Sequence, residues 1–318
     1  MKSINLQCIG DNSNTGVPSC SWTPSNITGA ILVPKGKAYT VADVATLWTT
    51  LQADIIADTA SQRIYPILPF KAVEDKSTDV QIETDGYGGK SFVRDGDYEW
   101  MFEYKNGFCF YQALRSFHTK NQQFDVFFID EVNNTLWGTE NADGDLTGFS
   151  LELLIVPNIK INTGSNATKY FISCGLANPV ELNDNTYTVS FPSNQQLMKV
   201  SGLLDTVLTA TSTINATSGV VTATLTSGCN SVDMAELYPT ELADVSPAPC
   251  FQAYNVTTGF AVAITAVAVS GSTISITTDA TDHTAGDDVQ IWFGDVSDAI
   301  AVGISGYANS PKITVEVV

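Results

Sequence analysis

The chain contains two histidines, His118 and His283, and hydrolytic or acid–base chemistry of the common kinds would start from one of them. They lie far apart in sequence. His118 follows a helical spacing beside Arg115 and Lys120, which reads as a surface or helix-end position. One histidine among many serines does not make a Ser-His-Asp arrangement. No G-x-S-x-G, P-loop or dinucleotide-binding glycine pattern occurs. The run Asp85-Gly86-Tyr87-Gly88-Gly89 is glycine-rich but opens no helix, and a phosphate cradle needs a helix N-terminus behind it. It reads as a hairpin turn or flexible loop.

Carboxylates offer little more. Asn141-Ala142-Asp143-Gly144-Asp145 starts like a calcium loop but lacks the spaced ligands and the terminal bidentate Glu, so a β-turn is expected. Asp279, Asp282, Asp287 and Asp288 crowd one stretch and read as a solvated acidic loop. Glu99 and Glu103 alternate with Tyr98, Trp100, Phe102 and Tyr104, which places them on a solvent face. Trp48, Trp100 and Trp137 fall at helix and strand spacing and read as core. No catalytic set, metal site or cofactor is expected, and the chain reads as a non-enzyme.

Six cysteines show no C-x2-C spacing. Cys109 and Cys174 sit in apolar runs and read as core thiols. Cys8 with Cys20, and Cys229 with Cys250, are close enough to pair locally. A disulfide framework is not expected, because MKSINLQCIG has no apolar signal-peptide stretch and cytosolic thiols stay reduced. No run of 18 apolar residues exists to span a membrane. The five N-x-S/T sequons, at Asn26, Asn133, Asn166, Asn215 and Asn255, match chance in a chain rich in Asn and Thr.

Of 318 residues, 44% are hydrophobic and only 15% charged, which describes a globular chain whose surface is largely Thr, Ser, Asn and Gly. The net charge of −19 excludes tight wrapping of nucleic acid. From residue 200 onward, 12 acidic residues face one basic residue, Lys312, for a net of −11; the first 199 residues hold the other 22 and 14, for −8. The two halves are different surfaces.

The elements that must position these residues follow from periodicity. Residues 1–30 read as an extended arm. A helix is expected over 41–58, with Thr40 and Asp43 at its start and Val41, Val44, Leu47, Trp48, Leu51 and Ile55 on one stripe. A second is expected over 108–119, after Asn106-Gly107. Strands are expected near 31–33, 63–69, 80–83, 91–93, 98–104, 124–130, 135–138, 149–156, 169–174 and 186–191. Together these make a mainly β assembly domain over 31–195, a sandwich or barrel-forming sheet with flanking helices. Composition shifts near 193–200. Beyond it, strands near 209–212, 220–225, 261–268, 273–278 and 289–293 read as a second β-sandwich over 200–318, with a short helix or loop at 234–242.

Several stretches resemble a known family: Arg63-Ile64-Tyr65-Pro66-Ile67, Thr84 to Gly89, Tyr98-Glu99-Trp100-Met101-Phe102, Ala113-Leu114-Arg115-Ser116-Phe117, residues 125–130 and Leu136-Trp137-Gly138-Thr139. Over residues 25–192 the chain resembles the major tail tube proteins of tailed phages that infect Bacteroidetes. Residues 200–318 resemble the immunoglobulin-like decoration domains appended to such virion proteins. The resemblance implies a structural virion protein made in the bacterial cytoplasm and located in the phage tail. It would form stacked, hexameric rings with copies of itself, whose inner sheets join into a closed barrel. Tape measure and tail terminator proteins would be its partners, and DNA would pass without adhering. The arm and the loop with Gly86, Tyr87, Gly88 and Gly89 would bridge rings. Asp85, Asp95, Asp97, Glu99 and Glu103 would face the lumen and repel phosphates. The alternatives are a double-barrel major capsid protein, which the two interior helices and the unlike halves oppose, and a secreted adhesin or carbohydrate-binding module, which the missing signal peptide opposes.

Overall fold

The structure is a computed structural model that describes residues 25–59, 61–105, 107–162, 164, 167–246 and 248–318, with the backbone course of 2–4. It is mainly β. The chain forms two compact units: Met1–Ile55 with Ser61–Ser201, and Ile56–Ala60 with Gly202–Val318. Most of the stretch read as an arm lies outside the described residues.

In the first unit the strands are β1 (Lys2–Ile4), β2 (Ile27–Pro34), β3 (Ala38–Tyr39), β4 (Tyr65–Ile67), β5 (Phe70–Asp75), β6 (Gln81–Thr84), β7 (Lys90–Arg94), β8 (Glu99–Tyr104), β9 (Phe124–Asp130), β10 (Thr135–Glu140), β11 (Leu146–Thr147), β12 (Phe149–Ile155), β13 (Tyr170–Leu176) and β14 (Thr186–Ser190). Its helices are α1 (Val44–Ile55), α2 (Gly107–Arg115) and α3 (Pro179–Asn183). β2 begins at Ile27, inside the stretch read as arm.

Strand β9 organises this unit. Every residue of FDVFFID is buried, because both faces of the strand are covered. Phe124, Val126 and Phe128 point into one core, and Phe127 and Ile129 into another. On one side β9 pairs with β2, and on the other with β10 and then β12. β12 shifts register between Leu151 and Leu153 and continues into the antiparallel sheet β12-β13-β8-β5. The unit is therefore three-layered, with α1 on one sheet and that sheet on a second.

The periodicity of α1 decides where it lies. Val44, Leu47, Leu51 and Ile55 are its buried stripe, packed on Ile31, Val33 and Phe127. Trp48 is half-buried against Phe191, with ring centroids 5.5 Å apart. The helix is shorter at both ends than expected. Asp43 stops it at the start: its Oδ1 accepts the Thr46 N–H at 2.7 Å, the bond of an N-cap. α2 ends at Arg115, and Phe117, expected inside it, packs beyond its end against Tyr65 and Phe124.

The second unit holds β15 (Thr206–Ala210), β16 (Val220–Ser227), β17 (Val232–Asp233), β18 (Phe251–Asn255), β19 (Phe260–Val262), β20 (Ile264–Ser270), β21 (Thr273–Thr278), β22 (Asp288–Phe293) and β23 (Ile313–Glu316). Its helices are α4 (Met234–Leu237), α5 (Pro239–Ala243) and α6 (Val296–Ala301). Sheets β15-β16-β21-β20 and β19-β18-β22-β23 close on one core around Leu225, Phe251, Ile276, Ile291 and Phe293. Alternation is clean on β16, where Val221, Ala223, Leu225 and Ser227 are buried and Thr222, Thr224 and Thr226 are not. The expected strand at 261–268 is two strands, and the element at 234–242 is two short helices. Residues 56–60 belong to this unit: Asp58 Oδ1 accepts the Val296 N–H at 2.7 Å.

Two thiol readings are corrected. Cys109 is disulfide-bonded and is not a core thiol, and Cys229 is disulfide-bonded as well. Cys250 is free and buried, so it does not pair with Cys229. Cys174 is a buried free thiol, as its apolar run implies. Cys8 and Cys20 lie outside the described residues.

Candidate functional site

The candidate site is the outward face of sheet β12-β13-β8-β5 and the hairpin that leaves it. On β8 the alternation is strict: Trp100, Phe102 and Tyr104 are buried, while Glu99, Met101 and Glu103 are half-exposed. Phe102 stacks on Phe70 at 4.4 Å, and Trp100 meets Phe128 edge-on at 5.2 Å. These contacts fix the strand's face, so the two glutamates are committed outward.

Register then assembles their neighbours. Glu103 lies between Phe171 of β13 and Ala72 of β5, Met101 between Ser173 and Glu74, and Glu99 beside Gly175. Leu153 and Ile155 of β12 extend the same rows. Glu103 Oε2 is 2.7 Å from Lys169 Nζ, and Glu99 Oε1 accepts the Ser173 hydroxyl at 2.9 Å. Lys160 Nζ lies 4.8 Å over the Phe171 ring. The face is apolar at its centre and mixed in charge at its margins.

The two edges of this sheet differ. The free side of β12 is capped within the chain: Thr119 N–H donates to the Leu154 carbonyl at 2.9 Å, Asn121 Nδ2 to Glu152 at 2.6 Å and Arg115 to Val156 at 2.8 Å. Val156 N–H donates to His118 Nδ1 at 3.1 Å, so His118 serves as a main-chain cap. The opposite edge, β5, pairs with β8 alone among the described residues. An uncovered strand edge is a template for another chain.

From the β5/β8 end projects the hairpin β6–β7. Its stem is tied to the sheet: Lys76 N–H donates to the Glu99 carbonyl at 2.8 Å and Thr78 N–H to Asp97 at 2.9 Å. A Cβ on Gly96 would sit 1.8 Å from the Thr78 carbonyl oxygen, so only glycine admits this approach. At the tip, Asp85 Oδ1 accepts the N–H groups of Tyr87 and Gly89 at 2.9 and 2.7 Å, and Gly88 takes φ +85°. Ile82 and Phe92 face each other across the hairpin at 59% and 64% exposure, and Tyr87 stands free at the tip. A two-stranded hairpin with no covered face is marginal by itself.

The five acidic residues singled out from sequence therefore part company. Asp85 caps its own turn, Glu103 is neutralised by Lys169, and Glu99 binds Ser173. Asp97 lies 3.8 Å from Arg94, and Asp95 is half-exposed in the stem. Lys71, Lys105, Lys160 and Lys169 at this sheet were missed, because only cross-strand register gathers them.

The other stretches are explained locally. Asn141 Oδ1 accepts the N–H groups of Asp143 and Asp145, forming the expected turn. Asp279 binds Thr281, Asp282 binds the Ala263 N–H, and Asp287 binds Asn255 and Thr284. Among the described residues no group of three His, Cys, Asp or Glu is placed to hold a metal ion. His283 is buried; Thr278 Oγ1 donates to the Gly219 carbonyl and so accepts from His283 Nε2 at 2.8 Å. A shallow pocket of the first unit is lined by Trp48, Gln52, Asn194 and Lys199. No described helix is long and apolar enough to cross a membrane.

A scan against protein-family models and a search of curated proteins each return no match.

Proposed function

We propose that the chain is a structural protein whose first unit assembles with copies of itself, and that the assembly is the tail tube of a tailed phage infecting Bacteroidetes. The observation that carries this reading is the sheet β12-β13-β8-β5. Among the described residues, one of its faces closes on an aromatic core, the other leaves Met101, Leu153 and Ile155 half-exposed, the β5 edge pairs with β8 alone, and a hairpin with exposed apolar residues projects from its end. A sheet in this state gains stability by meeting another copy. In a ring, hexameric by the resemblance, β5 would meet a neighbour near its β12 edge. Because that edge is capped, the joint would be made by side chains and not by a continuous main-chain ladder. Tape measure and terminator proteins would cap the stack, the virion tail would be its location, and DNA would pass through it. With Glu103 paired, the repulsion of DNA rests on the net charge of −19 more than on the five residues named from sequence.

A second reading, a secreted β-sandwich adhesin, draws on the disulfide bonding of Cys109 and Cys229, since disulfides persist outside the cytosol. Electron microscopy of the purified chain separates the two. Stacked rings or tubes with a lumen of roughly 20 Å or more, enough for a duplex, are expected. Icosahedral shells, or discrete monomers at all concentrations, would end the tail tube reading.

A further inference from the structure

Sheet β12-β13-β8-β5 is electrically polar along its strands. At the Tyr104 end, Lys160 and Lys169 face each other directly in an isolated antiparallel bridge, a placement that sets like charges together. Lys71 and Lys105 adjoin at the same end; a side-chain hydrogen bond with Lys71 lowers the Lys105 pKa, and the like charges of Lys71 and Lys169 add to it. Two carboxylates stand near these lysines: Glu103, already bonded to Lys169, and Glu74, whose pKa is lowered by Lys76 first and then by the charges of Lys160 and Lys169 as well. In a chain with 15 cations against 34 carboxylates, four lysines answered by two carboxylates are a local excess of positive charge.

The opposite end of the sheet carries the complement. The chain leaves β5 at Asp75 and re-enters at Glu99, and residues 75–97 hold six carboxylates against Lys76, Lys90 and Arg94. The hairpin is tied down at that end by the bonds of Lys76 and Thr78 to the sheet. Strand β8 runs six residues, about 20 Å, between the two ends. Residues 78–94 are all exposed, so the hairpin does not lie over the lysines of its own copy.

We propose that Lys71, Lys105, Lys160 and Lys169 form the docking site for the acidic hairpin, residues 75–97, of a second copy joined head to tail. This deepens the self-assembly reading above and rests on it. Such a contact uses different patches on the two copies, so repetition extends a stack and does not close a pair. It also offers cover to Ile82 and Phe92, which are largely exposed among the described residues. The attraction is between exposed charges and is weakened by salt.

The test uses the full chain and reads self-association by sedimentation velocity at low and high salt. K71E/K105E, and separately D79K/E83K, should each weaken association by about tenfold or more. All four positions are exposed, so circular dichroism should match the parent. Mixing the two variants should restore association, because opposite charges meet again across the joint. Parent-like association of either variant, or no recovery on mixing, overturns the proposal. So does loss of duplex DNA binding in K71E/K105E with association unchanged, which would assign the lysines to phosphate. Head-to-tail association that obeys the charge swap without rings or tubes would remove the tail tube and leave the docking. Tubes indifferent to the swap would do the reverse, and a parent that is monomeric at every salt concentration removes both.

Discussion

Lys169 Nζ and Glu103 Oε2 lie 2.7 Å apart across neighbouring strands, and the Glu103 side chain is the more enclosed of the two, at 12% exposure against 43%. That asymmetry decides what the pair is worth. The lysine end is open to solvent and screened, so the gain from forming the pair is small. The glutamate end is enclosed beside Phe171, so leaving it unpaired is costly. Lys169→Met should therefore destabilise the chain by about 1 kcal/mol, and adding Glu103→Gln should recover most of it. Urea unfolding of the two single variants and the double variant measures the coupling. Equal losses in K169M and K169M/E103Q would show that the carboxylate is not stranded.

The aromatic core behind that face should dominate stability. Phe128 is fully buried and meets Trp100, Phe102, Trp137 and Phe149 at ring-centroid distances of 5.2 to 6.0 Å. Phe128→Ala should cost about 3–5 kcal/mol, since rings held on several sides cannot collapse into the gap. Phe92→Ala, on the exposed hairpin, should change the unfolding midpoint of the unassembled chain little while weakening its association. Comparing the two in urea, and by sedimentation, separates core from contact surface.

The parts legible in the sequence were those whose neighbours are local. Trp100, Phe102 and Tyr104 announce a strand face by alternation alone, and the stripe from Val44 to Ile55 announces a helix face. The burial of residues 126–129 is visible as an apolar run, while the burial of Asp125 and Asp130 beside it is not. β5 was missed because an edge strand carries Lys71, Glu74 and Asp75, which erase the pattern of a core strand. β18 was missed for a related reason, since it is short and carries Gln252 on one face and Asn255 on the other, and β23 alternates over only four residues. Glu103 could be placed outward, but Lys169 could not be placed beside it, since 66 residues of chain separate partners that only register joins. Cys109 shows the same limit. Its apolar neighbours suit a core thiol, and nothing local shows that it is bonded.

The cysteines should report their states directly. Burial pushes the Cys174 and Cys250 thiols up to about 12, with Asp298 and Asp244 adding to the shift at Cys250. Only the thiolate is alkylated, so at pH 8 both should react about a thousandfold more slowly than an ordinary thiol. Mass mapping should find Cys174 and Cys250 labelled only after denaturation, and Cys109 and Cys229 only after reduction as well. Labelling of Cys109 in denaturant without reductant would refute its disulfide.

Asp125 predicts a pH dependence. It is 4% exposed, its Oδ2 accepts the Gly36 N–H at 2.7 Å, and its Oδ1 has no partner. Burial raises its pKa, with the Gly36 bond and Lys35 opposing. A carboxyl with a raised folded pKa favours folding below its unfolded pKa, and that contribution is lost as pH rises through the folded value. Asp125→Asn should therefore raise the urea midpoint at pH 7 relative to the parent, and the difference should shrink at pH 4. A larger gain at pH 4 than at pH 7 would reverse the sign and refute it.

Asn134 should prove the most sensitive surface turn in the first unit. It sits at φ +46°, where asparagine is tolerated and glycine is free. Its Nδ2 donates to the carbonyls of Phe191 and Gln195, each at 2.9 Å, and its Oδ1 accepts the Leu197 N–H at 3.0 Å. These bonds hold the segment that delivers Leu197, fully buried, to the core beneath α1. Two causes are thus combined in one residue, and two substitutions divide them. Asn134→Gly keeps the backbone angle and loses these bonds together with a longer one from Nδ2 to the Pro192 carbonyl at 3.3 Å, which should cost about 1–3 kcal/mol. Asn134→Ala loses the bonds and strains the backbone, for about 1 kcal/mol more. If glycine matches the parent in urea, the angle alone mattered. If alanine matches glycine, the strain is relieved elsewhere and the side-chain bonds carry the whole effect.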